Sequence, residues 1–257
     1  MHNLQGAIWV EMLKARRTKM VGLTGLAGLL IPLMGGFFML ILKDPTFARR
    51  AGLISAKAQL MAGVADWPTF LDLLAQAIAT GGIILFAFIG SWVFGREYAD
   101  QTVKDLLALP TSRAAIVGAK FVVVIAWSAA LTTLVYSIGL GVGAAVGLPA
   151  VSSEIFWRGT LVIAVSAALT ISLITPIAFF AGLGRGYLPP LGLAILAIVL
   201  AQLVAVAGWG EYFPWSIPAL YSQGSRLGLT SYLIIILTGL AGLAGTFIWW
   251  ASADQTN

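Results

Sequence analysis

The chain has 257 residues, of which 60% are hydrophobic and 10% charged, and its formal net charge is +5. Whole windows of about 20 residues are apolar on every side, whereas a helix of a soluble protein carries one apolar stripe. These runs lack the alternating segments of a membrane β-barrel. Because backbone polar groups must be satisfied internally in lipid, we predict an all-α polytopic membrane protein.

The lack of certain reactive side chains excludes several kinds of catalytic and metal site. There is no cysteine, and the single histidine is His2, so thiolate metal sites, zinc-protease motifs and Ser-His-Asp catalysis lack members. The sequence also contains no Gly-x-x-x-x-Gly-Lys-Ser/Thr phosphate loop. We therefore expect no cofactor in this chain, and any ATP hydrolysis that drives it must come from a separate protein.

Residues 3–19 predict an interfacial amphipathic helix. Apolar side chains recur there at helical spacing, and most charged side chains lie elsewhere around the helix: Leu4, Ile8, Trp9, Met12 and Leu13 against Glu11, Lys14, Arg16 and Arg17. A signal peptide is the alternative, but the apolar run that follows is too long and no cleavage site ends it. The basic residues place this end in the cytoplasm.

We predict six transmembrane helices in a single domain over residues 1–257, at about 20–42, 68–94, 119–146, 156–183, 188–207 and 229–251. Both termini then lie in the cytoplasm, with nine Lys and Arg residues inside and six outside, in agreement with the positive-inside tendency. A basic outer segment at 43–57 runs against that tendency. Its role has no assignment, although Ala48 to Val64 is compatible with a helix on the outer surface.

Two polar features lie on the predicted outer side. Asp72, near the start of the second span, is interpreted as an acid favoured by the helix dipole, with a transport pathway as the alternative. Residues 208–228 predict an external, re-entrant-like loop because aromatic residues and prolines concentrate there: Tyr212, Phe213, Pro214, Trp215 and Pro218. The alternative is an aromatic belt that only anchors the loop.

The interval 95–113 is a concentrated polar stretch between two apolar runs, so it must lie at an aqueous face. We expect a short cytoplasmic helix from Glu97 to Leu109, stopped by Pro110. Thr111 or Ser112 then caps the helix that carries Arg113 into the third span. A partner that pushed on the short helix would move the third span with it.

The same interval resembles the permease subunits of ABC-2 type exporters, particularly the six-helix type linked with bacitracin and lantibiotic immunity. The matching residues are Glu97, Thr102, Leu106, Leu107, Pro110, Ser112, Arg113 and Lys120. The resemblance implies that a coupling helix between spans two and three docks in a groove of an ATP-binding subunit. It makes candidate contacts of Glu97, Asp100, Thr102, Lys104, Asp105 and Arg113, with Leu106 and Leu107 packing beneath them.

The resemblance also implies the partners and the location. Two copies of a P-loop ATP-binding subunit would bind ATP and Mg²⁺, a second permease, expected to be identical, would complete the export path, and membrane lipids would surround it. No nucleic acid is expected, and the location is the bacterial cytoplasmic membrane. The substrate would be amphipathic or lipid-associated, such as a peptide antibiotic.

Two other classes of function stay open from the residues themselves. An intramembrane lipid-modifying enzyme would use a serine within a helix, and the candidates are Ser91, Ser128, Ser166 and Ser172. Hydrogen bonding of these hydroxyls to the preceding turn or to a neighbouring helix explains them equally. A structural or sensory membrane subunit that transports nothing is the third possibility.

Overall fold

A computed structural model describes residues 2–44, 63–108 and 110–252. Most of the predicted outer-surface helix (Ala48 to Val64) and the predicted cytoplasmic tail from Asp254 to Asn257 lie outside these residues. The helices are α1 (His2–Arg17), α2 (Met20–Lys43), α3 (Trp67–Ala99), α4 (Val103–Leu107), α5 (Arg113–Val146), α6 (Ser153–Ser172), α7 (Ile174–Leu183), α8 (Leu188–Val206), α9 (Ile217–Ser222) and α10 (Leu229–Ser252), with a 3₁₀ turn at Gly210–Tyr212.

Within the described ranges, six helical segments are long and apolar enough to cross a membrane: α2, α3, α5, α6 together with α7, α8, and α10. The described part of the chain contains no β-strand. The prediction of an all-α polytopic membrane protein with six spans is confirmed. The orientation of the termini and the interfacial position of α1 stay predictions.

The fourth span is two helices rather than the single helix expected over 156–183. Pro176 has no N–H to donate to the carbonyl of Ser172, and its ring disfavours a continuous helix. The hydroxyl of Thr175 instead donates to the Ser172 carbonyl at 3.1 Å and to the Gly239 carbonyl of α10 at 2.6 Å. The hydrogen bond that Thr175 makes at this break therefore joins the fourth span to the sixth.

The helix α3 lies at the centre of the bundle and packs against α2, α5, α6, α7, α8 and α9. Its two ends, which we call the Trp67 end and the Ala99 end, lie in different apolar clusters. Phe70 and Leu74 pack near the Trp67 end, and Phe94 packs with Phe121 near the Ala99 end. The outer faces of α2, α8 and α10 remain largely uncovered, as expected of surfaces that meet lipid or another protein.

Candidate functional site

The polar interval after α3 is built from two helical pieces, not from the one helix expected over Glu97 to Leu109. The helix α3 continues through Ala99 and stops where Gln101 adopts a left-handed conformation, with φ of 57°. The amide of Gln101 donates to the Tyr98 carbonyl, and the amide of Thr102 donates to the Glu97 carbonyl at 2.9 Å. This pattern is a Schellman motif, which satisfies the last carbonyls of α3 and redirects the chain into α4.

The short helix α4 presents a polar surface to the surroundings and an apolar surface to the protein. Val103 is buried and Leu106 packs against the cluster around Phe94. Lys104 and Asp105 are exposed. Leu106 thus packs on the inner side of α4, whereas the side chain of Leu107 is outside the described part of the structure.

The turn before α4 is also exposed at Asp100 and Thr102. Asp100 lies 3.5 Å from Arg96 in an ion pair one helical turn apart. Together with the two exposed residues of α4, these side chains form a continuous polar surface, which we call the coupling surface (Asp100, Thr102, Lys104 and Asp105). Its role in docking stays a prediction.

The start of α5 follows the sequence-based expectation at Ser112 and adds a contact at Arg113. The Ser112 hydroxyl caps the helix by accepting a hydrogen bond from the Ala115 amide at 3.2 Å. The guanidinium of Arg113 donates to the carbonyls of Trp250 and Ala251, at 3.2 and 3.3 Å. A cation at the carboxyl end of a helix is favoured by the helix dipole, so Arg113 joins α5 to the end of α10.

The structure places Glu97 inside the protein, not on the surface where a docking contact was expected. Its carboxylate Oε1 lies 2.8 Å from Lys120 Nζ and 3.1 Å from Lys14 Nζ. Glu11 completes the group, 2.6 Å from Lys14 and 3.4 Å from Lys120. We call these four residues the ion cluster; it joins α1, α3 and α5.

Burial makes the pairing within the ion cluster necessary. Lys120 is 0% exposed, Glu97 4% and Glu11 6%, and a buried charge without partners costs several kcal/mol. Two acids and two bases give a net charge of zero, and Lys120 also donates to the Val93 carbonyl at 2.8 Å. Oε2 of Glu97 is buried without a hydrogen-bond partner among the described residues. Glu97 therefore positions the start of the polar interval and does not belong to its exposed surface.

The ion cluster changes the pKa of Lys14, its least buried member. Burial lowers the pKa of this ammonium group, but the carboxylates of Glu97 and Glu11 raise it further, and the net result is a pKa above the ordinary value. Lys14 therefore keeps its positive charge throughout the neutral range. In that range, the ion pairs that attach α1 to α3 are therefore not lost by deprotonation of Lys14.

The importance of Lys120 and Glu11 was not evident from the sequence. Lys120 lies inside the apolar run of α5, which is a signal that could have been used because a charge at such a position needs a partner. The helical spacing places Glu11 among the charged residues that lie mostly outside the apolar stripe of α1. In the structure Glu11 and Ala15 face the protein, and Trp9 is 66% exposed, so the polar side of α1 supplies part of its contact with the bundle.

The Trp67 end of α3 has a different polar arrangement. Asp72 and Arg158 line an open cavity of about 590 Å³ together with Gln76 and Gln223. They influence each other electrostatically, but both are exposed. Asp72 lies in the second turn of α3, and the cap of that helix is Asp66, which accepts a hydrogen bond from the Thr69 amide at 2.9 Å.

Lys43, the first residue of the basic outer segment, makes a structural contact with the end of α5. Lys43 Nζ donates to the carbonyls of Val146 and Gly147, at 2.7 and 3.2 Å. It therefore closes the end of α5, where Gly147 adopts the left-handed conformation that a helix end requires. The rest of 43–57, apart from Asp44, lies outside the described residues.

The aromatic loop after α8 forms the 3₁₀ turn and α9. Pro218 is buried, whereas Phe213, Pro214 and Trp215 are partly buried and Tyr212 is exposed. The hydroxyl of Ser216 donates to the Phe213 carbonyl at 2.8 Å. The helix α9 packs against α3 and α6, so the loop is folded onto the bundle.

The candidate serine residues have no catalytic arrangement in the described structure. The hydroxyls of Ser91, Ser128 and Ser166 are buried without a hydrogen-bond partner there. Ser172 donates to the Leu169 carbonyl of the preceding turn at 2.7 Å. Within the same residues, no group of three His, Cys, Asp or Glu side chains could hold a metal ion.

Comparison with known proteins agrees with the resemblance drawn from the polar interval. The model of the ABC-2 family transporter proteins matches residues 7–201, a range that includes the ion cluster and the coupling surface. A bacitracin transport permease protein of Bacillus licheniformis is 27% identical over 190 residues, which cover 72% of this chain and 91% of that protein. The chain is a multi-pass membrane protein that belongs to the ABC-2 family of transporter proteins, as a permease.

Proposed function

We propose that the chain is the membrane subunit of an ATP-driven exporter and that a separate P-loop ATP-binding subunit docks on the coupling surface. The observation that carries the proposal is the attachment of this surface to the bundle. Exposed polar side chains lie on a turn and a short helix, and Glu97 anchors that turn to α1 and α5 through the ion cluster. Force on the coupling surface would reach three helices at once.

The energy source belongs to the partner in this proposal. Two copies of the ATP-binding subunit bind ATP and Mg²⁺, and each contacts one permease. A second permease, identical to the first, covers part of the outward apolar surface, for which α8 is the candidate because Leu203 and Val206 are 62% and 88% exposed. The location is the bacterial cytoplasmic membrane, with α4 on the cytoplasmic side.

The substrate class is supported by the relative, whose name assigns it to bacitracin transport. We infer an amphipathic or lipid-associated substrate, such as a peptide antibiotic, moved out of the membrane or the cell. Expression of the chain with its ATP-binding partner in a bacitracin-sensitive bacterium should raise the bacitracin concentration that stops growth. No change in that concentration would contradict bacitracin as the substrate.

The docking proposal is tested by co-purification with a P-loop ATPase that is co-expressed with this chain as its candidate partner. The double substitution Lys104→Glu with Asp105→Lys reverses both charges of α4 and should reduce the amount of recovered ATPase severalfold. Glu154→Lys with Arg226→Glu is the matched control because both residues are exposed and lie on the opposite side in the predicted topology. Equal recovery with both double variants would contradict docking at this surface.

The role of the ion cluster in transmission is tested separately. Glu97→Gln with Lys120→Met removes a buried pair while it leaves the coupling surface unchanged. We expect the ATPase to bind but its stimulation by bacitracin in proteoliposomes to be reduced. Full stimulation in this variant would show that movement reaches the bundle by another route.

A further inference from the structure

A cavity lies beside the Ala99 end of α3, between that helix, α1 and the start of α2. It is open and has a volume of about 710 Å³, within the range of about 300–1,000 Å³ for sites that hold small molecules. It borders the ion cluster but is a separate space. Neither the family membership nor the docking proposal assigns it an occupant.

Three cations line this cavity: Lys14, Arg17 and Arg96. The one acid in the lining, Asp100, is paired with Arg96 at 3.5 Å. Arg17 is exposed and makes no ion pair or side-chain hydrogen bond to any residue that the structure describes. Because Lys14 is already paired within the ion cluster, the excess positive charge at the mouth comes from Arg17. The N–H donors of Arg17 and Arg96 suit a phosphate group.

Arg96 is held in a position that suits such a ligand. Its guanidinium lies 5.0 Å from the centre of the Trp92 ring, and an arginine has five N–H donors. The contact with Asp100 is made by Nε at 3.5 Å. Among the residues that the structure describes, Arg96 has no second ion pair, so its guanidinium can also contact an anion that enters the cavity.

The remaining wall is apolar and continues toward the membrane. Leu13 of α1, Met20 at the start of α2, and Phe88 and Trp92 of α3 line it. The adjoining face of α2 is exposed at Leu23 and Leu26, where it would meet lipid chains. A cationic mouth above an apolar wall matches a molecule with an anionic head and a hydrocarbon tail.

We propose that this cavity binds one anionic phospholipid, with the phosphate at Arg17 and Arg96 and the acyl chains along α2. The lipid would connect α1 to the bundle beside the ion cluster. The proposal does not depend on the exporter function, because it concerns the resting permease without its ATPase.

The test uses the full chain in nanodiscs made from equal parts of phosphatidylcholine and phosphatidylglycerol, followed by native mass spectrometry of the lipids that remain bound. Wild type should retain phosphatidylglycerol preferentially. Arg17→Gln with Arg96→Gln should weaken retention by about fivefold for each cation removed. The single substitution Arg17→Glu, at an exposed position, provides a second variant that leaves the packed wall intact.

The matched control is Arg16→Gln with Lys19→Gln. These two residues are exposed and basic and belong to the same N-terminal region, but neither lines the cavity. Preferential retention should survive in this variant. Equal loss in both double variants would show a general attraction between surface charges and lipid, and would overturn the proposal.

Two further measurements distinguish a bound phospholipid from a free anion and from a second copy of the protein. Inorganic phosphate added in excess should leave the bound phosphatidylglycerol in place, and its displacement would assign the site to a free anion. Since the chain has no cysteine, a single cysteine at Val10 reports on a second copy of the protein. Efficient disulfide formation between two such chains would assign the cavity to a permease interface and contradict the lipid site.

Discussion

Each end of α3 has an acid near a base, but the acid is buried at one end and exposed at the other. At the Ala99 end, Glu97 is almost inaccessible and lies 2.8 Å from Lys120. At the Trp67 end, Asp72 and Arg158 share a cavity of about 590 Å³, and both are exposed. Closely packed helices exclude water and make pairing necessary, whereas an open cavity allows charges to remain hydrated.

This difference in burial separates a group of paired, buried charges at the Ala99 end from hydrated charges at the Trp67 end. A buried group of paired charges is expected to resist movement of one helix past another. An open polar cavity provides space and hydrated charge. Substitutions at the Ala99 end should therefore cost more stability than substitutions at the Trp67 end.

The largest effect is expected from Lys120→Met at the Ala99 end. It removes the cation that is 0% exposed and leaves two buried carboxylates with only Lys14 as a partner. Breaking such a group costs about 3–5 kcal/mol, which a thermal unfolding experiment in detergent would detect as a large fall in the midpoint. Lys104→Met, at an exposed residue of α4, is the control, and an equal fall in both variants would contradict the importance of the ion cluster.

A second effect is expected at Gly95, where α3 approaches the link between α7 and α8. A β-carbon there would lie 2.6 Å from the carbonyl carbon of Gly186 and 2.8 Å from the Tyr187 amide nitrogen. Because these are backbone atoms, Gly95→Ala should lower the free energy of unfolding by about 1–3 kcal/mol.

The corresponding substitution near the other end is Gly159→Ala, which meets the Leu71 side chain, with its nearest atom at 2.7 Å. A side chain adjusts more readily than backbone, so the loss should be smaller. Gly81→Ala, which meets no atom within 4 Å, is the control for the helix propensity of alanine. If Gly159→Ala proved the more damaging substitution, the Ala99 end would not be the more rigidly packed one.

A stabilising effect is expected from Gln101→Gly. Gln101 has a φ of 57°, a conformation that costs a side-chain-bearing residue roughly 1–2 kcal/mol and glycine very little. The unfolding midpoint should rise modestly while co-purification of the ATPase is unchanged, because Gln101 is outside the proposed contacts. A lower midpoint would show that the Gln101 side chain has a role in the turn.

The smallest effect is expected at the Trp67 end. Asp72→Asn and Arg158→Gln should each change the free energy of unfolding by less than about 1 kcal/mol, since exposed charges contribute little. A double-mutant cycle for this pair should yield a coupling energy well below that of the Glu97 and Lys120 pair, measured in the same detergent. Equal coupling energies would remove the distinction between the two ends.

Much of the architecture could be predicted from the sequence because lipid imposes a simple rule on it. Each apolar run is long enough to cross a membrane, and only helices satisfy the backbone there. Local chemistry also predicted a cap at Thr111 or Ser112, where short polar side chains precede a helix, and the structure places it at Ser112. The same rules did not reveal the break of α3 at Gln101, because a left-handed conformation is unusual for that residue type.

Tertiary structure alone decided which charges meet. The sequence separation between Glu11 and Lys120 is 109 positions, and no helical periodicity relates residues on different helices. Arg113 is exposed, and only the packing of α10 decided that its guanidinium also donates to the carbonyls of Trp250 and Ala251. The sequence by itself determined the six spans and the polar interval, since these depend on local hydrophobicity. The packing of α1, α3 and α5 determined that Glu97 is an internal anchor, because a buried carboxylate must lie where cations from other helices reach it.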